Sequence, residues 1–313
     1  MERLRQDDPS HVGPYVTLAR LDAGSAERGL PERRFLARGA DGRRTVLLCL
    51  PRVGADPSRW AVEAEGARRL RSPRLLPVTE VGGGAGSPWS TTPYTPVLPL
   101  PAALAAYGGP LPEDLVRRLG ADLAEALADL HDRGFTHAGL SPAAVLLTAG
   151  GPVLTCFGAV RAAAPDGTPR SGLPGLDPGC LALEQAAGGR PTPLGDVFAL
   201  GAVLAYASTG HTVPEQSELP PGLRRLIGSC LASAPADRPR SARDLLHGLT
   251  AHAADAPPGA PTPATAPAGP PTLPGRVVAA LAAQSAGLLA AEPPSAAEPT
   301  PPPPFPPAAR KVH

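Results

Sequence analysis

The sequence predicts an α+β chain in two unequal parts: a small β-rich part over residues 12–99 and a larger, mainly helical part over 100–253. A Pro/Ala-rich tail follows over 254–313. Three observations carry this reading. Short apolar runs broken by Gly, Pro and charged residues fill the first part, as strands joined by turns do. Apolar residues at helical spacing dominate the second. Near residue 254 the composition turns to Pro, Ala, Gly and Thr, with too few large apolar side chains to offset the entropy of ordering, so the tail is expected to be disordered.

The strand candidates in order are YVTLARL, RRFLARG, RTVLLCL and RLLPVTEV, interrupted by one helix from about Pro57 to Leu70 with Trp60, Ala64, Ala67 and Leu70 on one side. The second part opens with PEDLVRRLGADLAEALADLHDRG, where Pro and two acids mark a helix start and Leu115, Leu119, Leu123, Leu127 and Leu130 form one stripe. The stretch 196–208 is apolar almost all round and so is expected to be buried. Next come LRRLIGSCLA and then SARDLLHGL, whose Ser241 and Asp244 have N-cap spacing. Within the tail, 275–292 keeps Val277, Val278, Leu281, Leu288 and Leu289 at roughly helical spacing between Pro274 and Pro293. This island reads either as a transient Ala-rich helix or as one that docks on a partner or on its own domain.

A formal net charge of +1 provides no global field for nucleic acid or an acidic membrane. The apolar run VFALGAVLAYA at 197–207 is too short to span a bilayer, and the N-terminus lacks the apolar core of a signal peptide, so a cytoplasmic protein without a transmembrane segment is expected. Cys49, Cys156, Cys180 and Cys230 form no CxxC and no zinc spacing, which reads as small buried groups in a reducing compartment. There is a single Lys, Lys311, and no Asn, so chemistry that needs a buried Lys or an Asn on a metal has no such residue before the C-terminus.

Between residues 136 and 161 the sequence reads THAGLSPAAVLLTAGGPVLTCFGAVR. With VLLC at 46–49, LDAGSAE at 21–27, ALEQ at 182–185, DVFALG at 196–201 and ADRP at 236–239, it resembles the protein kinase family, especially bacterial Ser/Thr kinases of the actinobacterial type, over about residues 12–250. The resemblance implies a bilobal fold with an N-lobe over 12–99 and a C-lobe over 100–253. Set against the family's motifs, the reactive positions are altered. Gly24 alone remains of the three phosphate-loop glycines, and Cys49 stands where the Lys that grips the phosphates belongs. Glu63 matches that lysine's ion-pair partner and so has no partner at that position; Arg52 could substitute only by a detour, and a surface role for Glu63 is an equal reading. Gly139 replaces the Asp that orients the substrate hydroxyl, Ser141 the catalytic-loop Lys, Ala144 the Asn on the second metal and Ala138 the Arg that holds a phosphorylated loop. Cys156 replaces the Asp that holds Mg²⁺ and is a soft ligand ill-matched to that ion. The retained positions are those that hold the family's fold: His137, Leu140, Pro142, Phe157, Gly158, Asp196 and the pair Glu184–Arg238.

The resemblance with these losses implies a pseudokinase, a signalling module that regulates or scaffolds a protein partner such as another kinase or regulator. No metal site and no cofactor are expected, and ATP without Mg²⁺ stays open. The alternative is a Ser/Thr kinase or nucleotide-binding protein that retains phosphoryl transfer through a rearranged site. A third reading is a small-molecule or redox sensor, with Cys49 and Cys156 both facing the old nucleotide cleft, against the simpler view that they fill space. The segment 161–175, with Thr168 and Ser171, reads as a flexible loop, Asp177 as a turn residue, and the short connection from Gly210 to Leu223 weakens the case for a conventional protein substrate.

Overall fold

In the computed structural model the described residues are 2–22, 29–84, 86–251 and 273–291. The phosphate-loop position Gly24 and most of the tail lie outside them. A six-stranded antiparallel sheet, in the order β1-β2-β3-β4-β6-β5, makes the first part. Its strands are β1 (His11–Val12), β2 (Tyr15–Arg20), β3 (Glu32–Gly39), β4 (Thr45–Pro51), β5 (Glu80–Gly82) and β6 (Trp89–Pro93). Alternation along β4 sends Val46, Leu48 and Leu50 to one face with Tyr15, Phe35 and Ala37, and Leu47 and Cys49 to the other with Leu36, Trp60 and Ala64. Helix α1 (Pro57–Arg69) closes that second face; its N-terminus is capped by Asp56, which accepts from the Ser58 and Arg59 amides at 2.9 and 3.1 Å.

The helical part is built on α3 (Glu113–Asp132) and α6 (Pro193–Thr209), whose apolar faces meet in one core. Around them pack α2 (Leu100–Tyr107), α7 (Pro221–Cys230) and α8 (Ala242–Ala251); Ser241 Oγ caps α8, accepting from the Asp244 amide at 3.0 Å. A small sheet of β7 (Leu98–Pro99), β8 (Val145–Thr148) and β9 (Gly151–Leu154) lies at the junction of the two parts. The short helices α4 (Ala159–Ala163) and α5 (Leu183–Ala186) belong to the segment between β9 and α6.

The tail island is a helix, α9 (Gly275–Ala290), and it is docked: Val277, Leu281, Gln284 and Leu288 are buried against the rest of the chain. The transient reading is replaced because the i, i+4, i+7, i+11 spacing of these residues puts one continuous stripe on the body of the protein.

The segment 161–175 is pinned, not flexible: it starts within α4 at Arg161, which is bonded to Glu63. Arg170 is fully buried, and its guanidinium donates to the carbonyls of Ala164, Gln185 and Gly189 and to the Asp166 carboxylate.

Candidate functional site

Between the two parts, the loop 137–144 and the segment 156–161 are fastened to each other and to α6. The Asp196 carboxylate accepts from the His137 and Ala138 amides, each at 2.8 Å, and meets His131 Nε2 at 2.9 Å. The Gly158 amide donates to the His137 carbonyl, and the Val160 amide to that of Ala138, both at 2.8 Å. Ala138 and Cys156 take positive φ, 51° and 61°, the non-glycine residues to do so among the described residues. Such backbone costs on the order of 1–3 kcal/mol and persists only where its surroundings impose it, as this lattice of bonds does.

His137 is fully buried, packs edge-on to Phe157 at 6.0 Å, and neither ring nitrogen has a well-formed hydrogen bond; the Thr155 main chain is a marginal partner. Burial pushes its pKa down to about 4, against the pull of Asp196, so the ring is neutral at pH 7. Glu184 and Arg238 form a two-bond ion pair at 2.6 and 2.9 Å, and the Arg238 guanidinium also lies over the Phe198 ring. Asp177 caps the turn 178–180 by accepting from the Gly179 amide at 2.9 Å.

The altered positions converge on one buried region. Cys49 pairs in register with Arg34 across β3 and β4, and Arg34 is held by Asp22, with Nε 2.7 Å from Oδ2. Glu32, one residue before Arg33 on β3, takes a hydrogen bond from Cys156 Sγ at 3.5 Å. Burial raises the Glu32 pKa, although the Arg34 charge opposes the shift. Burial, reinforced by the nearby Glu32 carboxylate, raises both Cys49 and Cys156 well above the ordinary thiol value, so both stay protonated and weakly nucleophilic. Leu30, 1% exposed, packs in one cluster with Ala143, Ala144, Cys156 and Ala159. It thus fills the space beside Ala144 and Cys156. Next to it, Leu21, Leu36, Leu47, Val97 and Leu146 form another buried cluster with Cys49. The opening lined by Cys49, Trp60, Glu63, Thr92, Cys156 and Phe157 measures about 40 Å³, room for a water or two and far below a small-molecule pocket.

Gly139 has no room for a side chain: a Cβ there would overlap the Cys156 carbonyl oxygen and approach Ala159 Cβ to 2.9 Å. Ser141 has become a turn residue, its Oγ accepting from the Ala144 amide at 3.3 Å. Gly158 is required where it stands, at φ 77° with the Glu63 carboxylate in the place a Cβ would occupy.

Glu63 has no partner at Cys49, and its cation comes from elsewhere, Arg161 and not Arg52. Arg161 Nε lies 3.0 Å from both of its carboxylate oxygens, and Nη2 lies 2.7 Å from Oε2. The Arg161 Nη1 donates to the Thr136 carbonyl, and the guanidinium stacks over Phe157 at 4.8 Å. Sequence reasoning missed Arg161, and its signal was small: the one cation in the run CFGAVRAAA.

No protein-family model matches the chain. It is 33% identical over 276 residues to the probable serine/threonine-protein kinase PkwA of Thermomonospora curvata, covering 82% of this chain and 36% of that protein. It is 33% identical over 274 residues to the serine/threonine-protein kinase AfsK of Streptomyces coelicolor, covering 80% of this chain and 33% of that protein. The chain thus spans about a third of the length of these relatives. Among solved structures, the kinase domain of Mycobacterium tuberculosis PknI superposes with a TM-score of 0.60 at 24% identity, covering 79% of this chain and all of that one. An apo form of PpkA gives 0.59 at 19% identity, covering 76% and 97%.

Proposed function

We propose that this chain, which has the protein-kinase fold and bacterial serine/threonine kinases as homologues, is a catalytically inactive pseudokinase that acts as a regulatory or scaffolding module for a protein partner in the cytoplasm. One observation carries the reading. The positions that would meet nucleotide, metal and hydroxyl are occupied by residues that cannot do that work, and the space before them is filled by the chain's own Leu30 and Glu32. Phosphoryl transfer relies almost entirely on positioning and charge stabilisation, each such group contributing about 10²–10⁴-fold. A magnesium nucleotide does not fit these residues. A protonated thiol at Cys156 and a methyl group at Ala144 offer no hard oxygen ligand, and the buried Glu32 carboxylate is a poor neighbour for phosphate. Among the described residues no helix is long and apolar enough to cross a membrane.

A second reading, phosphoryl transfer through a rearranged site, draws on the names of the relatives and on Arg34. That cation sits directly opposite Cys49 in the sheet register, one strand away from the missing Lys. It is already engaged by Asp22, which leaves it poorly placed to grip a phosphate.

The deciding experiment combines thermal shift with γ-labelled ATP, with and without Mg²⁺ or Mn²⁺, on the full chain. The proposal expects no metal-dependent stabilisation and no label on the chain or on an added Ser/Thr-rich acceptor protein. Metal-dependent stabilisation together with label transfer would overturn it in favour of the rearranged site.

A further inference from the structure

Helix α9 touches both lobes and the strand of chain that joins them. At its N-terminal end, Val277 and Leu281 enter the C-lobe core, and Arg276 Nη1 donates to the Tyr107 carbonyl at the end of α2. At its C-terminal end, Leu288 enters the N-lobe cluster that contains Leu36 and Leu47. There Arg38 of β3 donates to the Leu288 carbonyl at 3.2 Å and the Ala291 carbonyl at 3.5 Å. The Leu288 carbonyl also accepts from the Ala291 amide at 3.3 Å, so Arg38 is its second partner and places a cation at the negative end of the helix.

The middle of α9 is more specific still. Gln284, 5% exposed, stands in an otherwise apolar stripe, where a polar residue costs stability unless it is fully bonded. Its Nε2 donates to the Val97 carbonyl at 2.8 Å, and its Oε1 accepts from the Val97 amide at 3.1 Å and from the Tyr94 hydroxyl at 3.0 Å. One side-chain amide therefore takes both main-chain groups of Val97, in the segment between β6 of the N-lobe and β7 of the C-lobe. Any change in the angle between the lobes must pass through this segment.

We propose that α9 is a strap, acting in cis, that fixes the angle between the lobes by clamping the connecting segment through Gln284 and anchoring one end in each lobe. Undocking α9 is the step that frees the lobes to move. The inference does not depend on whether the cleft takes a nucleotide.

The test places spin labels on the full chain at Val62→Cys and Leu183→Cys, exposed positions in the N-lobe and C-lobe; the four native cysteines are buried. The interlobe distance distribution is read by pulsed electron paramagnetic resonance, with hydrogen exchange measured in parallel. With Gln284 in place a single narrow distribution is expected. Gln284→Ala and Leu288→Asp are each expected to broaden it and to speed exchange of the Val97 amide at least tenfold, while α3 keeps its protection. Leu289→Asp, on the exposed face of the same helix, is expected to change neither. An unchanged distribution and unchanged Val97 exchange in Gln284→Ala would overturn the proposal. So would loss of protection throughout α3, which would make α9 a part of the core and not a strap.

Discussion

Arg161 holds Glu63 across 98 residues of sequence with three contacts between 2.7 and 3.0 Å, and so ties α1 to the segment that follows the Cys156-Phe157-Gly158 turn. With the guanidinium over Phe157 and bonded to the Thr136 carbonyl, the pair fastens α1 to the packing residues of the loop. Both partners are partly buried, between the surface and core cases, so Glu63→Gln and Arg161→Met are each expected to destabilise the fold by about 1–3 kcal/mol. A double-mutant cycle by urea unfolding checks it: the coupling energy should be a large part of either single effect. Additive effects would show that the contact contributes nothing.

Introducing an acid at position 139 is expected to harm the fold without enabling phosphoryl transfer. The Cys156 carbonyl and the Ala159 methyl already occupy the place of a Cβ. Gly139→Ala should therefore lower the melting temperature, and Gly139→Asp should lower it further by burying a carboxylate. Label transfer from ATP should stay at background in both. A Gly139→Asp chain that melts like the parent would mean the loop relaxes easily and that the loss of the acid is not built into the packing.

The β-rich and helical lobes were legible because strand and helix periodicity, motif order and motif spacing are all local properties of the sequence. Asp196 could be placed in the same way, since its role depends on a fixed register at the start of α6. Arg161 could not: its partner depends on how α1 packs on α4, which no spacing encodes. Leu30 was equally hidden. It lies between β2 and β3, and nothing local says that it will pack against Ala143 and Ala144. Arg170 shows the same limit, because a Pro- and Gly-rich segment looked loose until a buried guanidinium was seen collecting its carbonyls. In α9 the apolar spacing gave the helix, but Gln284 was the overlooked sign of docking, a polar group in a stripe that would otherwise be uniform.

Arg238 is expected to be among the least replaceable residues of the C-lobe. Its side chain is fully buried, and besides Glu184 it donates to the carbonyls of Ala232, Ser233 and Leu194. Arg238→Met should leave Glu184 and these carbonyls short of a donor and cost about 3–5 kcal/mol. Burial works against the Glu184 charge, yet Arg238 holds its pKa below the ordinary carboxylate value. The stability that Glu184 contributes is therefore present above about pH 4.5 and lost as pH falls through the lowered value. Urea unfolding of Arg238→Met against the parent at pH 7 gives the size, and a cost below about 1 kcal/mol would contradict the prediction.

His137 is expected to make the fold acid-sensitive in a defined window. Its pKa is about 4 in the fold and near 6.5 when unfolded, so between those values the unfolded chain binds the extra proton. Stability should fall as pH drops from about 6.5 to 4, by up to about 3 kcal/mol at the lower end, taking 1.36 kcal/mol per unit. Carboxylates titrate in the same range, so the comparison is with His137→Leu, which lacks this component. The difference in unfolding free energy between the two chains should shift in favour of the variant as pH falls. A difference that is flat from pH 7 to 4 would show that His137 gains its proton without cost.

Glu32 should act with the opposite sign. Its pKa is raised in the fold, chiefly by burial, despite the charge of Arg34. A carboxyl raised in this way favours the fold at pH below about 4.5, where both states are protonated, and that advantage is lost as pH rises through the folded value. As pH rises, the fold must either hold a proton that the unfolded chain has released or bury an ionised carboxylate beside the Cys156 thiol. Glu32→Gln keeps the shape and removes the charge, so the variant should be more stable than the parent at pH 8, with the gap closing toward pH 4.5. Thermal unfolding of both chains across that range reads the sign directly. A variant less stable than the parent at pH 8 would mean that Arg34 and the Cys156 hydrogen bond outweigh desolvation, and that Glu32 is held as a working anion at the centre of the cleft.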